Sequence, residues 1–233
     1  MKQHKFLPAT KMAEIIDDDL SFLQIISRFG LSLGFGEKTV KEVCEENRVD
    51  TFTFLSVVNF LSESNYEIAT DADSISIGLL IDFLKNGHVY FLKFKLPALR
   101  EKLITAIDIT DAVIPYRAVF LQFFDKYVIE VKNHMNYEDE VVFPYVVNLL
   151  AGQTDAKYHI SMFEERHNDI EQKLTELKNI LIKYYPAKEN NYLFSEVLYD
   201  LITCKQDLTA HSLVEDYIFI PAIEKIEQKT GRR

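Results

Sequence analysis

Four long segments of the sequence repeat apolar residues at steps of three and four, the spacing that places side chains on one face of an α-helix. They cover about 75–106, 112–150, 156–185 and 192–228. Polar breaks separate them, and the whole 233-residue chain holds only 7 glycines and 6 prolines. Because short connections make successive helices antiparallel neighbours, the sequence predicts an all-α fold, an up-down-up-down four-helix bundle.

A smaller helical region precedes the four segments. Short helices are predicted at about 39–46 and 51–61, and a polar stretch follows them. We therefore expect a small helical N-terminal domain at 1–64, a linker at 65–74 and the bundle at 75–233.

Charge and cysteine content exclude several classes of protein. The formal net charge of −10 argues against binding to nucleic acid or to an anionic membrane. The two cysteines are far apart and form no CxxC motif, which favours a reducing compartment over a disulfide framework. No signal peptide is recognisable, and no uncharged apolar run reaches the roughly 18 residues of a membrane span. We expect a cytoplasmic protein.

Each apolar stripe is interrupted by a histidine, or by a histidine and a glutamate. The interrupting residues are His88, His134, Glu138, His167, His211 and Glu215. The complete stripe of the second helix is Phe120, Phe124, Tyr127, Val131, His134, Glu138, Val141 and Tyr145. A carboxylate that faces an apolar core costs several kcal/mol unless it is paired or binds a metal. Because no inward lysine or arginine is evident near these groups, a metal cluster is the simplest source of balancing charge.

The interruptions belong to a sequence repeat. The motif H-x3-E-D-x3-[FI]-P begins at His134 and again at His211. His88 precedes the first copy by 46 residues, and His167 precedes the second by 44. Two halves, each with two histidines and one glutamate, suit two metal ions that both carboxylates could bridge. Mixed imidazole and carboxylate ligands fit Fe, Mn or Zn, and ligand type alone does not separate these metals.

Three residues near the predicted ligands have open roles. Asp139 and Asp216, each directly after a predicted ligand, either orient a neighbouring histidine or face solvent. Tyr145, further along the second stripe, is placed to offer a hydroxyl near the site.

With these residues the chain resembles the hemerythrin-like family, and most closely its di-iron proteins for the repair of iron centres. The likeness covers about 75–228, through the segments HMNYEDEVVFP, EERHNDIEQKL and HSLVEDYIFIP. It implies the metal ligands His88, His134, Glu138, His167, His211 and Glu215. Oxygen-carrying hemerythrins have a further histidine where Phe163 stands, so the likeness is to the repair type. The carriers also end with H-x4-D, which leaves Asp216 as an alternative to Glu215.

The N-terminal region is similar to the small domain that precedes the bundle in many repair proteins. Residues 30–38, GLSLGFGEK, and Cys44 align with its pattern. Gly34 and Phe35 stand where that domain has adjacent cysteines, so a thiol-dependent step is not expected. The domain would then serve packing or partner recognition.

The resemblance implies two iron ions with an oxo or hydroxo bridge; manganese and zinc remain possible. It also implies defence against nitric oxide and oxidants and the repair of iron–sulfur clusters. The partners would be O2 or NO, with damaged iron–sulfur proteins or a regulatory protein beside them. Two alternatives stay open: a sensor or carrier of O2 or NO that signals without turnover, and a metal-free helical interaction protein. The sequence leaves open whether the protein is an enzyme.

Overall fold

The computed structural model of the chain describes residues 5–62, 74–108, 114–153, 158–164, 170–184 and 192–230. These residues form α-helices and three π-helical segments and contain no strand, so the predicted all-α fold is confirmed. Among them, no helix combines the length and the apolar character that crossing a bilayer requires.

The helices follow the predicted segments closely. They are α1 (Met12–Asp18), α2 (Phe22–Arg28), α3 (Val40–Glu46), α4 (Thr51–Ser62), α5 (Ile77–Tyr90), α6 (Leu96–Asp108), α7 (Ile114–Tyr137), α8 (Phe143–Leu150), α9 (Ser161–Glu164), α10 (Ile170–Tyr184), α11 (Tyr192–Val214) and α12 (Ile220–Lys229). The π-helical segments are Phe91–Lys95, Glu138–Val142 and Glu215–Phe219. The predicted linker at 65–74 lies almost wholly outside the described residues.

The chain divides into two compact units. Unit 1 consists of Met1–Gly87, Tyr145–Glu164 and Ala210–Arg233, and unit 2 consists of His88–Pro144 and Glu165–Thr209. The domain boundaries expected from the sequence stay a prediction.

In unit 1 the N-terminal helices pack against the start of α5. The ring of Phe29 lies 4.7 Å from that of Phe83, centroid to centroid. The backbone N–H of Ser76 donates to Thr53 Oγ1 at 2.8 Å. Burial of apolar rings and pairing of a backbone donor both favour this arrangement. The N-terminal segment is therefore packed on the helix that leads to the first predicted ligand.

In unit 2 the helices α6, α7, α10 and α11 share one apolar core. Buried side chains of this core are Phe91, Leu96, Leu99, Leu103, Ala106, Ile107, Phe120, Phe124, Tyr127, Val131, Met135, Leu174, Leu177, Leu181, Phe194, Val197, Leu201, Cys204 and Leu208. The Arg100 guanidinium of α6 makes two hydrogen bonds to the Asp125 carboxylate of α7, at 2.7 and 3.0 Å. Such a core supplies most of the stability of a helix bundle, because isolated helices are marginal in water.

A proline follows every one of the three π-helical segments at the same distance. Each segment has five residues, and the second residue after it is Pro97, Pro144 or Pro221. Proline has no N–H, and its ring clashes with the carbonyl four residues earlier, so an ordinary α-helical ladder is disrupted here. The N–H groups of Leu96, Phe143 and Ile220 instead reach the carbonyl five residues back.

One of these segments corrects the predicted stripe of the second helix. Val141, expected on the inner face, is 37% exposed, whereas Val142 and Phe143 are 0% and 1% exposed. A π-helical turn holds an extra residue, which rotates the following side chains by about 100° relative to an α-helix. The three-and-four spacing therefore misplaces Val141, although it holds up to Glu138 and the last residue of the stripe, Tyr145, is buried.

Candidate metal centre

The first candidate half-site, in unit 2, consists of the predicted ligands His88, His134 and Glu138. His88 lies near the end of α5, His134 in the last turn of α7, and Glu138 begins the π-helical segment that follows. Glu138 Oε2 is 3.0 Å from His88 Nε2, and Glu138 Oε1 is 2.9 Å from His134 Nε2. Both carboxylate oxygens therefore face an imidazole nitrogen, and the Glu138 side chain is 0% exposed.

Asp139 orients His88. Its Oδ1 is 3.1 Å from His88 Nδ1, and the other face of the ring stacks on Phe143 at 5.7 Å between centroids. An ionised carboxylate only accepts, so an Nδ1–H of His88 suits this contact, while Nε2 is directed at Glu138. A carboxylate behind a histidine is the usual support of a metal-ligating imidazole. Of the two roles left open for Asp139, the structure shows the orienting one.

The second half-site lies in unit 1, where the same i, i+4 pair recurs. His211 Nε2 is 3.1 Å from Glu215 Oε1, and the two side chains are 4% and 1% exposed. Glu215 begins a π-helical segment, as Glu138 does. Asp216 is exposed, so Glu215 is the inward carboxylate of the adjacent acidic pair. The repeat seen in the sequence is thus a repeat of local structure.

Two residues beside His211 were not found by the sequence analysis. A Cβ built on Gly87 would stand 2.8 Å from His211 Nδ1 and 2.9 Å from Cε1, so α5 presents bare backbone to the imidazole. Arg28 Nε lies 3.4 Å from that same point, and Arg28 is 2% exposed. The expectation that no inward cation lies near the predicted ligands is therefore wrong for His211. No sequence signal reveals Arg28, because it sits in a separate helix of the N-terminal segment.

His167 and Tyr145 are the other residues that the sequence analysis singled out for the site. His167 lies outside the described residues, so its part in the site stays a prediction. The Tyr145 hydroxyl donates to the buried carboxylate of Glu227, which also accepts from the backbone N–H of Ile160 at 2.9 Å. Tyr145 therefore ties α8 to α12 in unit 1, and the structure gives its hydroxyl this structural partner.

The donor set of each half-site fits a metal ion. Four buried side chains of the metal-ligating kind, His88 and Glu138 in unit 2 and His211 and Glu215 in unit 1, each offer a ligand atom. A buried carboxylate requires a compensating positive charge, which either a protonated imidazole or a metal ion would supply. Imidazole with carboxylate is the ligand chemistry of Fe, Mn and Zn.

These observations define the class: an all-α protein with buried histidine–glutamate pairs suited to binding metal cations. The Hemerythrin HHE cation binding domain matches residues 79–223, more than half of the chain. The chain therefore belongs to the hemerythrin family. No curated protein matches it.

Proposed function

We propose that the chain holds two iron ions and uses them in the response to nitric oxide and oxidants. The proposed ligands are His88, His134, Glu138, His167, His211 and Glu215. The observation that carries the proposal is Glu138, which is fully buried and has an imidazole Nε2 about 3 Å from each oxygen. The pairing of His211 with Glu215 supports the second half of the ligand set. Two iron ions, when bound, would supply a place for O2 or NO and a source or sink of electrons.

The chain's own residues set the conditions for that chemistry. Asp139 holds the His88 ring through Nδ1 and so directs Nε2 toward Glu138, where a metal ion would bind. Phe143 covers the face of the same ring, and an apolar neighbour of this kind excludes water from it. In unit 1, Gly87 allows the His211 imidazole to lie directly on the α5 backbone.

The finer role we propose is the repair of iron–sulfur clusters in the cytoplasm, with damaged iron–sulfur proteins as partners. The resemblance to repair proteins supports it. The N-terminal region contributes no thiol chemistry to this proposal. Gly34 and Phe35 replace the adjacent cysteines, and burial raises the pKa of the remaining Cys44 to about 12, although a hydrogen bond with Thr51 works the other way. A neutral thiol is a poor nucleophile, so reaction is assigned to the metals.

A second candidate function is a sensor or carrier of O2 or NO that signals without turnover. It is favoured by contacts of the N-terminal helices in unit 1. The ring of Phe60 in α4 lies 5.8 Å from that of Tyr217, which belongs to the π-helical segment that Glu215 begins. A change at Glu215 would thereby reach the N-terminal segment, where a regulatory partner could read it.

Metal analysis and rapid mixing test these proposals in turn. Protein purified aerobically from iron-supplemented cells should contain two iron ions per chain and show the absorption bands of an oxo-bridged diferric centre. Folded protein with a metal content near zero would instead support a metal-free interaction protein.

Stopped-flow mixing of the reduced protein with NO then separates the two iron functions. Consumption of many equivalents of NO supports reaction, whereas a stable stoichiometric adduct supports sensing or carriage.

A further inference from the structure

We propose that Arg28 supplies a fixed positive charge beside His211 that favours the binding of an anion at the metal centre and favours its reduced state. This inference rests on the proposed metal centre and names the kind of ligand that the centre prefers. It also gives the N-terminal segment a direct part in the site.

The position of Arg28 is set by α5. The end of α2 is tied to α5 by a hydrogen bond from the Asn86 side-chain amide to the Arg28 carbonyl at 2.9 Å. The guanidinium carbon lies 6.0 Å from the centroid of the Phe83 ring, within range of a cation–π contact. Phe83 and Asn86 both lie in the helical turn of α5 that ends at Gly87. The guanidinium is therefore held along the α5 backbone at the level of Gly87.

Gly87 brings this charge close to the predicted ligand. The point where a Cβ at residue 87 would stand is 2.8 Å from His211 Nδ1 and 3.4 Å from Arg28 Nε. Any side chain at 87 would occupy this space, so the glycine is what permits both groups to converge. His211 Nε2 faces Glu215 on the opposite side of the ring. Arg28 thus lies behind the imidazole edge that is not directed at the carboxylate.

Because Arg28 is buried, its positive charge acts strongly on neighbouring groups. Arg28 is 2% exposed, so water screens its charge little. A guanidinium in a protein does not give up its proton, so the charge persists whether or not metal is bound. A metal centre becomes more positive on oxidation, and a neighbouring fixed cation opposes that change. The same cation attracts an anion that binds at the centre, by roughly tenfold in affinity at an intermediate effective dielectric constant.

The test compares Arg28→Met with Arg28→Lys in the full-length, iron-loaded protein. Azide is the anionic probe, followed by its charge-transfer absorption, and the midpoint potential is measured on the same samples. We expect Arg28→Met to raise the azide dissociation constant by roughly tenfold and to lower the potential. We expect Arg28→Lys to keep most of both properties. Lys85→Met is the matched control, because Lys85 is an exposed cation on the same helix α5 and should have no effect.

The outcomes separate this inference from the proposed metal centre. Wild-type protein without metal overturns the metal centre itself. Iron-loaded Arg28→Met with the azide affinity and potential of the wild type overturns the inference alone. If Arg28→Met does not fold, Arg28→Gln removes the charge while keeping hydrogen-bond donors, and the same comparison applies to it.

Discussion

The carboxylate of Asp139 lies 3.1 Å from Nδ1 of His88, on the side of the ring opposite to the nitrogen that faces Glu138. Asp139 comes from the segment that follows α7, whereas His88 belongs to α5. The residue directly after a predicted ligand therefore supports a different predicted ligand. This relationship gives Asp139 a testable role that is separate from binding metal itself.

Removing the Asp139 carboxylate should weaken metal binding. We expect Asp139→Ala to lower the affinity of the apoprotein for Zn²⁺ or Fe²⁺ by about 10- to 100-fold, because the His88 imidazole loses its orienting acceptor. Competition with a chromophoric chelator measures the affinity. Glu140→Ala removes the same charge from the exposed neighbouring position and should leave affinity nearly unchanged. Equal affinities of the wild type and Asp139→Ala would show that the contact does not support the site.

A methyl group at residue 87 should disturb His211. The Cβ of Gly87→Ala would stand 2.8 Å from Nδ1, closer than real Cβ contacts, so the imidazole or α5 must move. We expect lower metal content and a lower unfolding temperature. Gly78→Ala is the control on the same helix, since a Cβ there has open space. It should be neutral or stabilise the protein by up to about 1 kcal/mol through reduced chain entropy. Unimpaired metal loading in Gly87→Ala would argue against a fixed His211.

Substitution of first half-site residues should remove metal while the fold persists. We expect His134→Ala and Glu138→Gln to lose metal but to keep the wild-type helical circular dichroism, because the apolar core of unit 2 is untouched. Metal quantification on folded protein provides the measurement. His159→Ala should retain full metal content, since His159 is not among the proposed ligands. Two metal ions per chain in either half-site variant would make the ligand assignment wrong.

A partly buried carboxylate in unit 2, Asp200, should make stability depend on pH. Asp200 accepts hydrogen bonds from Lys95 at 2.9 Å and from Lys102 at 2.6 Å. Burial acts to raise the pKa of Asp200, but the two lysines outweigh it, and the pKa is lowered from its ordinary value. A carboxyl whose pKa is lowered in the folded state stabilises the fold above its unfolded pKa. That stabilisation is lost as the pH falls through the lower, folded value.

We therefore expect Asp200→Asn to lower the free energy of unfolding by about 1 kcal/mol at neutral pH, a value already reduced for partial exposure. The difference from the wild type should shrink below about pH 4, where the carboxyl is protonated in the unfolded chain. Urea unfolding at several pH values measures it. Asp125→Asn breaks the more exposed pair with Arg100 and should have a smaller effect. A difference that stays constant down to pH 2 would contradict the ion-pair explanation.

Both thiols should resist modification in the folded protein. Cys44 and Cys204 are both buried, each 0% exposed, and neither is in a disulfide. For Cys44 the raised pKa also keeps the thiol neutral at pH 8. Reaction with Ellman's reagent should be negligible in native buffer and should give two thiols per chain in guanidinium chloride. Rapid native labelling at Cys44 would reopen a thiol-dependent role for the N-terminal segment.

Features that depend on local spacing along a helix were predictable from the sequence. Within each of the pairs His134–Glu138 and His211–Glu215, the imidazole Nε2 lies no more than 3.1 Å from a carboxylate oxygen, because residues four apart share a helix face. The bounds of α3 follow from Thr39, whose side chain accepts from the N–H of Glu42 in a capping box. These features depend on a few neighbouring residues, so the order of residues along the chain is enough to predict them.

The three-and-four spacing did not predict the register directly after Glu138. Val141 faces outward and Val142 inward because the π-helical segment after His134 adds a residue to the turn. A signal for this existed in the sequence, since proline follows each such segment at one fixed distance. Its effect on the direction of the side chains nevertheless depends on which carbonyl the displaced N–H groups reach.

By itself, the sequence determined the helices and the repeated histidine–glutamate pairs, whose side chains are of the metal-ligating kind, because each follows from backbone geometry and residue type over one or two helical turns. Only the tertiary structure decided that Asp139 supports His88 and that Arg28 and Gly87 converge on His211. These contacts join segments far apart in the chain. Packing of whole helices against one another, rather than any local preference, sets such distances.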